Sequence, residues 1–152
     1  MEVLITPERP DSADARTVIA ELDAELTLLY PSESRHGYDV ARLIAEDVAF
    51  FLIRRDGAAA GCGGIQLFGT EYGELKRMYV RPAFRGQGLA KAILSHLAGF
   101  ARDRGVRLLR LETGIHQLAA IALYERAGFR SIAAFGEYED DPLSRFYEMP
   151  IP

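Results

Sequence analysis

Val80-Arg-Pro-Ala-Phe-Arg-Gly-Gln-Gly-Leu-Ala90 runs straight into the amphipathic stretch Lys91–Arg104. The join reads as the end of a strand, a glycine-bearing turn and the first turn of a long helix. Gly86 and Gly88 remove Cβ atoms where that helix begins, so several backbone N–H groups can approach a bulky ligand closely. Unpaired N–H groups and the positive end of the helix dipole favour an anion there, above all a phosphate. Arg85 adds a permanent charge whose planar fork suits phosphate oxygens. Lys76, Arg77, Arg81, Arg85 and Lys91 lie close together in the sequence; a phosphate site and a solvated basic face both account for them.

Working outward, the helix places Leu89, Ala90, Ile93, Leu94, Leu97, Phe100 and Ala101 on one broad face, and Gly105 ends it. Glu74–Val80 before it and Leu108–Thr113 after it read as strands, so residues 74–113 form a strand–helix–strand unit with a parallel connection. Upstream, Val3–Ile5 is a short edge strand stopped by Pro7 and Pro10. Asp11 or Ser12 caps a helix carrying Val18, Ile19, Leu22, Leu26 and Leu29 at helical spacing. A polar turn, Tyr30–Gly37, leads to a shorter helix over Asp39–Glu46. Ala49–Arg54 and Ala58–Phe68 are strands joined at Arg55-Asp-Gly57, a strong hairpin signal. Downstream come a short helix, Ala119–Ala127, and two final strands, Phe129–Ala134 and Arg145–Met149. The expected fold is one mixed α/β domain over residues 1–152, with a central twisted sheet of six or seven strands and four helices.

The composition excludes several function classes. The 152 residues are 49% hydrophobic and 26% charged, as in ordinary globular domains. A net charge of −4 leaves no basic surplus for general nucleic-acid binding. No window approaches the ~20 apolar residues of a membrane span. The single cysteine, Cys62, lies in an apolar run, reads as a core residue and fits a reducing compartment. A cytoplasmic protein without nucleic-acid or membrane partners is the expectation.

Glycine motifs at helix starts serve several phosphate ligands. A P-loop needs Lys-Ser/Thr after its last glycine, where Leu89-Ala90 stands here. A dinucleotide fingerprint needs a third small residue where this chain has Lys91, and it opens directly after its strand, whereas Arg81–Arg85 intervene. Glu112 at the next strand end keeps a ribose-binding alternative open. More specific is Arg85-Gly-Gln-Gly-Leu-Ala90, which matches an Arg/Gln-x-x-Gly-x-Gly/Ala signature. With Ala119-Ala-Ile-Ala-Leu-Tyr-Glu-Arg-Ala-Gly-Phe129 and the order of elements, the chain resembles the GCN5-related N-acetyltransferase superfamily along nearly its whole length. It departs from that pattern at Gln117, where relatives often carry Asn.

The resemblance implies an acyl-CoA N-acyltransferase fold and acetyl-CoA as acetyl donor. It implies that the pyrophosphate is held by the backbone of Arg85, Gly86, Gln87, Gly88, Leu89 and Ala90. The pantetheine arm is expected along Met78, Tyr79 and Val80, between splayed strands 74–80 and 108–113, with Gln117 and Tyr124 nearby. The implied reaction is direct attack of a primary amine, from a small molecule or a protein, on the thioester in a ternary complex. A non-catalytic acyl-CoA sensor on the same fold is the alternative. Dimers are common in that superfamily, so a homodimer is part of what the resemblance implies.

Two proton transfers accompany the reaction, and side chains can assist both. An ammonium with a reference pKa of about 10.4 must lose a proton before it attacks, and the departing thiolate gains from a nearby acid. The resemblance makes Tyr124 the acid and, by its spacing from Arg85, Glu74 the base. Glu112 is the competing carboxylate. His36, His96 and His116 are not spaced as metal ligands, no cysteine pair supports a zinc site, and no metal is expected. Acceptor loops in the family correspond to Tyr30–Tyr38 and Gly136–Pro142. Glu137, Glu139, Asp140 and Asp141 on the second would draw in an ammonium, and a plain solvated hairpin accounts for them as well. Arg35 and His36 on the first suit a carboxylate and point to an amino-acid-like acceptor.

Overall fold

The computed structural model describes residues 2–152. Seven strands, β1 (Val3–Pro7), β2 (Ala49–Arg55), β3 (Ala58–Phe68), β4 (Tyr72–Val80), β5 (Leu108–Gly114), β6 (Arg130–Ile132) and β7 (Ser144–Pro150), form one sheet in the order β1-β2-β3-β4-β5-β7-β6. Among the described residues four α-helices accompany them: α1 (Ala13–Leu29), α2 (Val40–Ala45), α3 (Leu89–Asp103) and α4 (Leu118–Ala127). Every neighbouring pair is antiparallel except β4–β5, which is parallel and spans the crossover through α3. This is the mixed fold the sequence predicts.

Local chemistry sets the element ends. The Ser12 hydroxyl accepts from the Ala15 N–H at 3.1 Å and opens α1, and the Asp39 carboxylate accepts from the Arg42 N–H at 2.8 Å and opens α2. β1 continues past its expected end: Pro7 pairs with Phe51, which an outermost strand tolerates because its other edge needs no N–H donor. β6 is shorter than expected, three residues hydrogen-bonded only to β7.

Side chains alternate across β2 and divide the interior in two. Phe51 and Ile53 join Ile93, Leu97 and Ala101 of α3 and Tyr124 of α4 on one face. Phe50 and Leu52 join Ala15, Val18, Ile19 and Leu22 of α1 on the other. Full burial of each such aliphatic side chain contributes about 1.5–3 kcal/mol, so both faces hold their helices in place. Cys62 belongs to the α1 face; its thiol donates to the Arg77 carbonyl at 3.1 Å, and burial pushes its pKa up to about 12. It is a packing residue.

Two irregularities in the middle of the sheet position the site. β4 and β5 pair only at Gly73–Leu109 and Glu74–Arg110, and the strands diverge beyond. The β3–β4 register slips between Cys62 and Gly64, so Arg77 and Met78 together face Gly63. Arg77 occupies the left-handed region at φ 56°, marking a β-bulge. Among the described residues no helix is long and apolar enough to cross a membrane.

Candidate active site

The turn into α3 holds its shape through glycine. Gly86 and Gly88 have φ of 77° and 80°, and a Cβ on either would meet nothing within 4 Å. Their backbone conformation therefore demands glycine, while the space above them stays open. Gly88 caps α3 without any side-chain hydrogen bond, which leaves first-turn N–H groups for another partner. Arg85 is half exposed; its Nε donates to the Val80 carbonyl at 2.9 Å and its Nη2 to Glu25 at 3.4 Å.

From this turn a cavity of about 940 Å³ extends between β4 and α4. Met78, Tyr79, Val80, Arg85, Gly86, Gly88, Leu89, Ala90, Gln117 and Tyr124 all line it. Gln87 does not; its side chain is half-buried and its Oε1 has no hydrogen-bond partner. The Arg81 N–H bonds the Ala60 carbonyl at 2.8 Å on the β3 side. Amide directions alternate along a strand, so the Val80 and Met78 N–H groups turn to the other side, into the gap where β5 has diverged.

A second cavity, about 90 Å³, lies on the far side of Tyr124. Leu22, Met78, Gln117, Ala120 and Tyr124 line both cavities and join them. The two expected acceptor loops meet over the smaller one. His36 stands 3.7 Å from Asp141 and packs edge-on against Tyr138, and Arg42 pairs with Glu137 at 3.5 Å. The acidic residues of the second loop do not face the cavity: none of Glu137, Glu139, Asp140 and Asp141 is among its walls.

The two candidate carboxylates have different surroundings. Glu74 is 3% exposed, pairs with Lys76 Nζ at 2.8 Å and accepts from the Tyr138 hydroxyl; it lines neither cavity. Glu112 does line the smaller cavity and accepts from the Ser144 hydroxyl at 2.8 Å. Burial raises its pKa above the usual carboxylate value, opposed by the Ser144 bond. Tyr124 is 5% exposed and packs edge-on against Phe129; burial holds its pKa well above that of a free phenol.

Residues 17–129 match the Acetyltransferase (GNAT) family. The chain belongs to that family. It is 42% identical over 151 residues to an IAA acetyltransferase of Azospirillum brasilense, with 98% of each chain covered. A crystal structure from Klebsiella pneumoniae, assigned to the acyl-CoA N-acyltransferases, superposes with a TM-score of 0.84 at 42% identity, covering 98% of this chain and 97% of that one. A GNAT acetyltransferase of Elizabethkingia anophelis with acetyl-CoA bound shares the fold at a TM-score of 0.73 and 16% identity, covering 97% of each chain.

Within this GNAT domain several polar residues of the smaller cavity had escaped sequence reasoning. The sequence groups Lys76 and Arg77 with the basic cluster, yet they are 6% and 7% exposed and line this wall. Burial lowers the Lys76 pKa against the pull of Glu74, and its ammonium lies 3.8 Å from the Tyr38 ring centroid. Tyr138 reaches in from the second loop to contact Lys76 and Glu74. The available signal was the aromatic at the centre of an acidic loop. His116 stacks on Tyr30 and lines the larger cavity, while His96 packs on Phe51. Among the described residues no group of three or more His, Cys, Asp or Glu side chains is arranged to hold a metal ion.

Proposed function

We propose that this GNAT acetyltransferase moves an acetyl group from acetyl-CoA to a primary amine by direct attack, with Tyr124 as the acid and Glu112 as the base. The meeting of two cavities at Tyr124 carries the reading. The larger one offers a helix N-terminus and open glycines for pyrophosphate, and the outward N–H groups of Met78 and Val80 for the pantetheine arm and the thioester oxygen. The smaller one is sized for the acceptor.

In the reaction the acceptor nitrogen forms a bond to the thioester carbonyl carbon and the carbon–sulfur bond breaks. A proton leaves the amine and another reaches the CoA sulfur. Glu112, lining the acceptor cavity with a raised pKa, is suited to take the first, directly or through a water. Glu74 is already committed to Lys76 and Tyr138, which leaves it a supporting role. Tyr124 stays protonated throughout the neutral range and can supply the second proton. Holding both substrates in line supplies much of the remaining acceleration.

The test has two steps. Acetyl-CoA at a hundredfold excess over its Kd should stabilise the protein by about 2.7 kcal/mol. That is a Tm rise of roughly 5–10 °C for a chain of this size. Thiol release is then followed with a panel of primary amines. Stabilisation with release supports the transferase; stabilisation without release from any amine favours the sensor; no stabilisation overturns both.

A further inference from the structure

The acceptor cavity holds more cationic groups than proton transfer requires. Arg77 is the most confined: its side chain is 3% exposed, one end of its guanidinium pairs with Asp23, and its Nε has no partner. The left-handed backbone at the bulge directs it into this wall, and Gly37 admits it, since a Cβ there would lie 2.0 Å from Nη1. Arg35 lines the same cavity from the loop above. Its Nη1 donates to the Thr27 hydroxyl at 2.7 Å, and no carboxylate among the described residues lies within ion-pair distance of it. The neighbouring His36 Nε2 is buried and lacks a hydrogen bond, with the Asp141 carboxylate 3.7 Å away.

A buried guanidinium donor without an acceptor is costly, and an anionic ligand group relieves that cost. The anion has to be modest in charge, because Glu112 lines the cavity and Glu74 lies just behind Lys76. A carboxylate meets that condition better than a phosphate dianion. The volume adds a limit: about 90 Å³ is room for roughly six to nine waters at ~10–15 Å³ each, so a small molecule fits and a folded surface does not. Leu22, Leu26 and Leu111 provide an apolar wall for a short aliphatic group.

Resting on the acetyl-transfer reading, we propose that the acceptor is a small aliphatic amino acid. Arg77 and Arg35 hold its carboxylate, and its amine faces Glu112 and Tyr124. Arg35 and His36 alone suggest a carboxylate from the sequence; the enclosed Arg77, whose Nε lacks an acceptor, and the size of the cavity add its seat and its limits.

The experiment measures thiol release from acetyl-CoA with matched triplets: an aliphatic amino acid, its primary amide and its decarboxylated amine. The acid should be preferred over the amide by about tenfold to a hundredfold in kcat/KM, the worth of a charge-assisted hydrogen bond. Arg35→Met should remove most of that preference by raising KM for the acid, and Arg35→Lys should restore part of it, since an ammonium keeps the charge but loses the fork. Arg35 is exposed and spares the bulge, so it is a better probe than Arg77. Equal use of all three amines, an equal loss for all three in Arg35→Met, or a preference for peptide N-termini over free amino acids overturns this assignment while leaving acetyl transfer standing. No release from any amine overturns both.

Discussion

At the scale of single residues, the proposed acid Tyr124 and the two candidate carboxylates give separate tests. Tyr124→Phe removes the hydroxyl and keeps the packing on Phe129. kcat should fall about a hundredfold, in the range ascribed to a positioned acid, while acetyl-CoA Kd measured by calorimetry moves less than about threefold. Near-normal kcat at every pH tested would remove Tyr124 as the acid. Glu112 and Glu74 separate in two measurements. A base acts when ionised, so activity should rise with pH through the raised Glu112 pKa, and Glu112→Gln should lose that acid-side limb. Because the folded pKa lies above the unfolded one, ionised Glu112 costs stability. The cost is absent below the ordinary carboxylate range, where both states are protonated, and is complete above the folded pKa. Glu112→Gln, which can still accept from Ser144, should therefore raise Tm at neutral pH. Glu74→Gln should do the opposite, destabilising by about 3 kcal/mol or more because it strands the Lys76 ammonium in the interior. An acid limb lost in Glu74→Gln and kept in Glu112→Gln would reverse the assignment.

Elements turn these residues into a site, and here legibility from the sequence was uneven. The turn before α3 was readable because glycine and helix periodicity are local signals. Gly88→Ala forces a left-handed alanine, which costs about 1–2 kcal/mol. It also places a Cβ in the open space over the turn. Gly57→Ala is the control, since Gly57 has φ 83° and the same open surroundings but sits in the β2–β3 hairpin. Both variants should lose a similar amount of Tm, and only Gly88→Ala should weaken acetyl-CoA binding, by about tenfold or more, as a Cβ meeting a phosphate demands. Equal affinities in the two would separate the turn from the ligand. The β4 bulge was not readable. Nothing in Lys76-Arg-Met78 announces a left-handed arginine; the conformation is held by tertiary partners, Asp23 on α1 and the Cys62 thiol on β3. The same holds for the acidic loop, whose composition pointed to a negative rim. Glu137 pairs with Arg42 on α2, Asp141 lies 3.7 Å from His36 on the facing loop, and Tyr138 is the side chain that enters the interior.

Across the whole molecule the sheet is continuous at both ends and open in the middle. β2 could be read from the chain because both its faces are covered, which leaves the unbroken apolar run Phe50-Phe51-Leu52-Ile53, and the β4–α3–β5 unit because the apolar face of α3 repeats at helical spacing. The gap between β4 and β5 leaves no such trace, since a strand that diverges from its neighbour keeps the same burial pattern as one that stays paired. The gap nevertheless costs backbone hydrogen bonds, and a ligand that supplies acceptors there should restore them. Hydrogen exchange followed residue by residue tests this at the scale of the fold. In the free protein the Met78 and Val80 amides should exchange faster than that of Arg81, whose N–H is bonded to Ala60. Saturating acetyl-CoA should slow Met78, Val80 and the first-turn amides of α3 by about tenfold or more, with little change in the β2–β3 pairing. Protection spread evenly over the sheet would mean general stabilisation by mass action. Protection confined to the α3 turn would leave the phosphate site standing and remove β4 as the rail for the acyl arm.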